Sequence, residues 1–169
     1  MSKDIFQSIL SKAKNSNAIM LLEEKKTYKD FYERVKVVCS FLKKNLKKNE
    51  IICVHLNYSL DFIALIFASY INKNPITFIN PNAAFKEIKH VIKNSNSKMV
   101  IHEKKNLKKK DKKFLSFNYY LSKSKIKKKK NLRFIIYTSG TTSKSKGVML
   151  STRAISSNVY EITRDIKMK

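Results

Sequence analysis

At 169 residues with 43% hydrophobic side chains, the chain can bury the core of one domain, since a chain of this size removes roughly 70% of its unfolded surface from water. Its formal net charge of +25 taken alone suggests nucleic acid or an anionic membrane as partner. The charge comes from 33 Lys against 4 Arg, whereas base-specific readers of nucleic acid rely on the planar arginine fork. Abundant Asn and Ile with only 2 Gly and 2 Pro complete the codon bias of an AT-rich genome, so the charge reads as a solvated surface.

The start, MSKDIFQSIL, lacks the long apolar core of a signal peptide and carries Asp4. Residues 5–14 have the pattern of a short amphipathic helix and 18–22 that of a strand. Thr27 with Asp30 forms a capping box, after which Tyr28, Phe31, Val35, Val38 and Leu42 recur at steps of three and four along one helical face. An apolar strand at 51–56 is followed by a turn, Asn57 to Ser59, and a helix at 60–73, too short and interrupted to span a bilayer. Between Pro75 and Pro81 lies another strand. Phe85, Ile88, Val91, Ile92 and Ser95 then share a helix face, and Met99 to Ile101 make a third strand. Strands alternating with helices predict βαβ units, an α/β fold with a partial parallel sheet and flanking helices.

The segment 102–130 differs in kind, with 13 Lys against Glu103 and Asp111. It reads as a solvated Lys-rich loop around one edge strand, Phe114 to Leu121. Cys39 and Cys53 sit in apolar runs without CxxC spacing and read as small buried hydrophobes in a reduced, cytoplasmic setting. His55, His90 and His102 are too scattered to suggest a metal site.

Both glycines fall in Tyr137 to Ser151, YTSGTTSKSKGVMLS, after an apolar strand at 132–137. In a chain so poor in glycine, each should mark a backbone that turns through φ > 0 or approaches a ligand closely. Thr138, Ser139, Thr141, Thr142, Ser143 and Ser145 supply hydroxyls, Gly140 and Gly147 supply open amides, and Lys144 and Lys146 supply charge. Those groups suit a polyphosphate, whose oxygens are negative and only accept hydrogen bonds. A Walker loop does not fit, because six residues separate the glycines and Lys146 precedes the second. A short strand at 148–150 and a helix from Thr152 through Ile155, Val159, Ile162 and Ile166 close the pattern.

The stretch resembles the signature loop of AMP-forming, adenylate-forming enzymes: acyl-CoA synthetases, peptide-synthetase adenylation domains and luciferases. Agreement runs through Tyr137, Thr138, Ser139, Gly140, Thr141, Thr142, Lys146, Gly147, Val148 and Ser151. Ser143 replaces a usual glycine and Ser145 a usual proline. Thr27-Tyr28, the strand at 51–56, Asn57 to Ser59, the apolar helix and Asn80-Pro81 follow in the family's order. Arg153 and Asn158 also agree, while Thr152 stands where the family often has His.

The resemblance implies that residues 1–169 are an incomplete N-terminal AMP-binding domain, with the C-terminal domain and its catalytic lysine absent. It implies an ATP-dependent acyl-adenylate-forming ligase, of carboxylate or fatty acid–CoA ligase type. Thr138, Ser139, Gly140, Thr141, Thr142, Ser143, Lys144, Lys146 and Gly147 would hold the β- and γ-phosphates of ATP. No residue of the chain is assigned to catalysis or to metal, and the magnesium ligand is expected in the missing part. CoA or another thiol would accept the acyl group. Alternatives stand beside this reading: one half of a split ligase whose C-terminal half is encoded separately, a basic nucleic-acid-binding protein, or a non-functional truncated product. The chain alone is expected to show little or no ligase activity.

Overall fold

The computed structural model describes residues 5–21, 25–103, 111–123, 131–138 and 145–165. Helix α1 (Ile5–Ala13) leads to a small antiparallel pair, β1 (Ile19–Leu21) and β2 (Lys26–Thr27). Helix α2 (Tyr28–Asn45) begins with the expected capping box. The Asp30 N–H donates to Thr27 Oγ1 at 3.1 Å, and the Thr27 N–H donates to Asp30 Oδ2 at 2.9 Å, so each satisfies a group the helix end leaves open.

Four parallel strands follow: β3 (Ile52–His55), β4 (Ile76–Phe78), β5 (Met99–His102) and β8 (Leu132–Thr138). Helix α3 (Leu60–Ile71) connects β3 to β4, and α4 (Phe85–Ser95) connects β4 to β5. Strands β6 (Lys112–Phe114), β7 (Phe117–Leu121) and β9 (Lys146–Ser151) complete a seven-stranded sheet ordered β6-β7-β5-β3-β4-β8-β9, and α5 (Thr152–Asp165) follows. The sheet is α/β as expected but mixed, because β6, β7 and β9 join antiparallel at its two ends.

Successive side chains of a strand point to opposite faces, and both faces of the central strands are apolar. Ile52, Val54, Ile76, Met99 and Ile101 are buried in one core with Phe31, Val38 and Leu42 of α2 and Ala64, Leu65 and Ala68 of α3. Cys53 and Val100 face the other way, onto Ile88 and Val91 of α4. Helix α3 therefore lies on one face and α4 on the other.

The expected edge strand at Phe114 to Leu121 is two strands, β6 and β7, which fold back across Leu115 and Ser116. Leu115 is left-handed, φ 53°. A buried carboxylate from α3 fixes this turn: the Ser116 N–H donates to Asp61 Oδ2 at 3.2 Å, its hydroxyl donates to the same oxygen, and Arg34 of α2 pairs with Oδ1.

Phe85 departs from the expected buried face of α4, being 54% exposed with the Lys89 ammonium 4.4 Å from its ring centroid. Cys39 is only partly buried, whereas Cys53 is fully buried. Burial pushes both thiols up, that of Cys53 the more strongly. No helix among the described residues is long and apolar enough to cross a membrane.

Among the described residues, left-handed turns use asparagine and lysine rather than glycine: Lys25, Asn49, Lys73, Asn96 and Asn131 join Leu115 at positive φ. Helix α3 stops at such a turn, where Lys73 has φ 59° and the Asn74 N–H returns to Ser69 O at 2.8 Å. A side chain at this position carries a steric cost that glycine avoids. Lys73→Gly should therefore stabilise the chain by about 0.5–1 kcal/mol against urea; a loss of stability would show that this turn is unstrained. Arg34→Met leaves Asp61 as an uncompensated buried charge and should cost about 2–4 kcal/mol in the same assay; a neutral result would contradict the role given to that network.

Candidate functional site

The described parts of the signature stretch form the two strands of a hairpin. Strands β8 and β9 pair antiparallel from Leu132↔Ser151 to Thr138↔Lys146. The tip lies at the carboxyl ends of β3, β4, β5 and β8, the side on which open α/β sheets bind ligands. Ser139, Gly140, Thr141, Thr142, Ser143 and Lys144 lie outside the described residues. Thr138, Ser145, Lys146 and Gly147 are described and mark the tip's two ends.

Thr138 and Lys146 are directly opposed, and both side chains are exposed. Paired residues of an antiparallel ladder project to the same face with their Cβ atoms about 5 Å apart. A hydroxyl-bearing and an ammonium-bearing side chain thus leave the hairpin end on the same face, a pair of donor types that suits a phosphate. No His, Cys, Asp or Glu cluster of three or more occurs among the described residues.

Gly147 is not left-handed, contrary to the turn expectation, for no glycine among the described residues has a positive φ. It is a strand residue opposite Tyr137. A Cβ at 147 would come within 3.0 Å of Ile135 Cγ2 and 3.1 Å of Tyr137 Cζ. The close approach required here is by the protein's own tyrosine ring, packed across the bare strand. Gly147→Ala should cost about 1–2 kcal/mol by overpacking, and the cost should shrink in a Tyr137→Ala background; equal costs in both backgrounds would contradict the contact.

Helix α4 meets this hairpin through two polar residues one turn apart. The Tyr137 hydroxyl donates to Asn94 Oδ1 at 2.6 Å, and His90 Nε2–H donates to the Ser145 carbonyl at 3.0 Å. At the other end of the hairpin, Ser151 Oγ accepts the Ala154 N–H at 3.2 Å and so caps α5. Arg133 Nε donates to Thr152 Oγ1 at 2.9 Å, with its guanidinium over the Tyr70 ring. The match at Ser151 therefore has a structural reason. Beneath the hairpin, Thr77 of β4 donates its hydroxyl to Ile135 O at 2.8 Å and ties β8 to the sheet.

A cavity of about 110 Å³ lies between α4 and the hairpin, bordered by Asn94, Tyr137, Gly147 and Met149. It is far below the size of ordinary ligand pockets, roughly 300–1,000 Å³. A larger open groove along α5, bordered by Ser151, Arg153, Ser156 and Tyr160, lies at the opposite end of the hairpin from Thr138 and Lys146. Both hollows lie away from the tip that Thr138 and Lys146 border, although the groove along α5 carries hydroxyls and the Arg153 side chain of its own.

Of the residues selected from sequence, the described ones, Thr138, Lys146 and Gly147, are brought to one hairpin end. His90 and Asn94 were not selected, because on sequence they fall on the polar side of α4. His55 and His102, distant in sequence, are register partners on β3 and β5. His102 Nε2 lies 3.3 Å from Asp111 Oδ2.

Burial raises the Tyr137 hydroxyl to about 12, with a smaller contribution from Cys53. Tyr120, beneath the same face, is raised to about 12 for the same reason. Each is bound more tightly as the neutral phenol in the folded chain, so an unfolded tyrosine loses its proton first, near pH 10. Stability is thus fully present below pH 10 and falls as pH rises toward 12. Thermal melts between pH 8 and 11.5 should show that decline, shallower in Tyr137→Phe; an unchanged slope would contradict it.

The chain belongs to the AMP-binding enzyme family, whose profile matches residues 6–169. A comparison with curated proteins finds no significant match. Solved structures give the fold. The Klebsiella oxytoca NpsA N-terminal subdomain, in complex with 3-hydroxyanthranilyl-AMSN, superposes with TM-score 0.67 at 18% identity, over 89% of this chain and 40% of that one. A four-domain nonribosomal peptide synthetase bound to AMP and glycine gives 0.76 at 12% identity, over 99% of this chain and 13% of that one. A Mycobacterium tuberculosis fatty acyl CoA synthetase gives 0.62 at 14% identity, over 87% and 34%. The chain thus corresponds to the N-terminal part of the adenylate-forming domain and spans less than half of each of these neighbours. Peptide-synthetase and acyl-CoA synthetase relatives share this fold, and the likeness does not separate them.

Proposed function

We propose that the chain provides the phosphate-binding portion of an acyl-adenylate-forming ligase of the acyl-CoA synthetase type. In that reaction a carboxylate oxygen attacks the α-phosphorus of ATP, the bond from that phosphorus to the α,β-bridging oxygen breaks, and pyrophosphate leaves; the sulfur of CoA or another thiol then attacks the acyl carbon, the acyl–phosphate C–O bond breaks, and AMP is released. The observation that carries the reading is the hairpin, which holds Thr138 and Lys146 side by side at the carboxyl end of the parallel strands. Ser139, Gly140, Thr141, Thr142, Ser143, Lys144 and Ser145 connect these two residues in sequence.

The chain's own contribution is to bind and orient the leaving phosphates. Preorganised hydroxyls, amides and an ammonium group stabilise charge that grows on departing pyrophosphate. Lys146 is exposed at this mouth and serves there as a phosphate ligand. Magnesium would neutralise part of the same charge when bound; the described residues supply hydroxyl and ammonium groups at this mouth, and we assign its ligands to no residue here. Thr141, where many peptide-synthetase domains have Ser, and Asn80-Pro81 favour the acyl-CoA synthetase branch. A cytoplasmic location accompanies the proposal.

Recognition through phosphates makes a specific prediction for competition binding with labelled ATP. Inorganic tripolyphosphate should displace ATP from the purified chain and adenosine should not, and Lys146→Ala should weaken ATP about fivefold, the worth of one exposed ion pair. Displacement by adenosine alone, or no ATP binding at millimolar concentration, would sink the reading.

A further inference from the structure

His90 and Asn94 stand four residues apart on α4 and so lie on one stripe of the helix, about 6 Å apart along its axis. The hairpin positions they serve, Ser145 and the Tyr137↔Gly147 pair, are separated by two strand residues, about 6.6 Å. The two spacings match, and both contacts are made: His90 to the Ser145 carbonyl, Asn94 to the Tyr137 hydroxyl. Ser145 is the last residue before β9, and Tyr137 is the next-to-last residue of β8. One turn of one helix thus grips the chain on either side of the signature tip.

The grip has a mechanical reason. Among the described strands β9 lies at the edge of the sheet and pairs with β8 on one side, so the ladder supports the hairpin from that side alone. Helix α4 is itself held on the sheet by Ile88 and Val91, both 1% exposed. The bare strand at Gly147 lets the Tyr137 ring cross the hairpin, and a side chain there would contact that ring.

We propose that His90 and Asn94 are positioning residues for the two ends of the β8–β9 hairpin, holding Ser145 and Tyr137 so that the neighbouring Thr138 and Lys146 side chains are presented together. The inference rests on the phosphate reading for its functional half, while the anchoring itself can be measured without any ligand.

The experiment uses the full chain and reads two quantities: backbone hydrogen exchange by mass spectrometry, and the affinity for inorganic tripolyphosphate. His90→Ala and Asn94→Leu should speed exchange in peptides covering 132–138 and 145–151, leave peptides of β3 and β5 unchanged, and weaken tripolyphosphate about five- to tenfold, the effect of losing one hydrogen bond. His90→Gln, which keeps an N–H donor, and Asn94→Asp, which keeps the acceptor, should return both readouts to within about twofold of wild type. Unchanged exchange and affinity in His90→Ala and Asn94→Leu would overturn the proposal. So would faster exchange throughout β3 and β5, because that is global destabilisation. If the wild-type chain binds neither ATP nor tripolyphosphate, the phosphate reading falls, and the exchange pattern decides the anchoring by itself.

Discussion

Burial of β3 on both faces is the constraint on which the rest of the structure depends. Ile52 and Val54 face α2 and α3, Cys53 faces α4, and all three are at most 1% exposed. A strand with no wet face must lie inside a layered α/β unit, so β4 and β5 flank it in parallel and the connecting helices cover opposite sides. β8 then adds outside β4, and its carboxyl end joins the row of strand ends where the signature stretch begins. The place of the candidate site follows from the burial of a strand that contributes no residue to it.

The site is built at the sheet's edge rather than its centre. An edge hairpin offers backbone and side chains to a ligand without leaving buried groups unpaired, but it lacks a second strand to hold it. Thr77 anchors β8 from below, Arg133 and Ser151 set the hairpin's base, and His90 and Asn94 meet the tip. Packing on the central sheet thereby reaches the tip through side-chain hydrogen bonds on three sides.

Much of this was legible in residue patterns, and the exceptions share a cause. The capping box at Thr27, the face of α2 through Phe31, Val35, Val38 and Leu42 and the alternating strands depend on neighbours within a few residues and appear as expected, save that Tyr28, at the start of that face, is exposed. The β6–β7 turn depends on Asp61, fifty-five residues earlier in α3, so no local signal announces it. His90 and Asn94 have the spacing of an ordinary solvated stripe, and only the hairpin's return beside α4 gives them partners. Gly147 was legible as a place of close approach, but what approaches is the protein itself, through Ile135 Cγ2 and the Tyr137 ring. The left-handed turns were hidden because this lysine- and asparagine-rich chain uses Asn49, Lys73, Asn96 and Asn131 where glycine is common. The composition that supplies the +25 charge also removed the punctuation by which turns are usually read.

The central claim is that the β8–β9 tip of this AMP-binding family chain is a phosphate site. The most direct measurement is an amide-resolved NMR titration of the isotope-labelled chain with Mg-ATP. The account predicts shifts concentrated in residues 137–147 and in His90 and Asn94, saturating together with one affinity. Shifts centred on the α5 groove at Arg153 and Ser156, or on Lys112 and Lys113 of β6, with the tip unmoved, would contradict it.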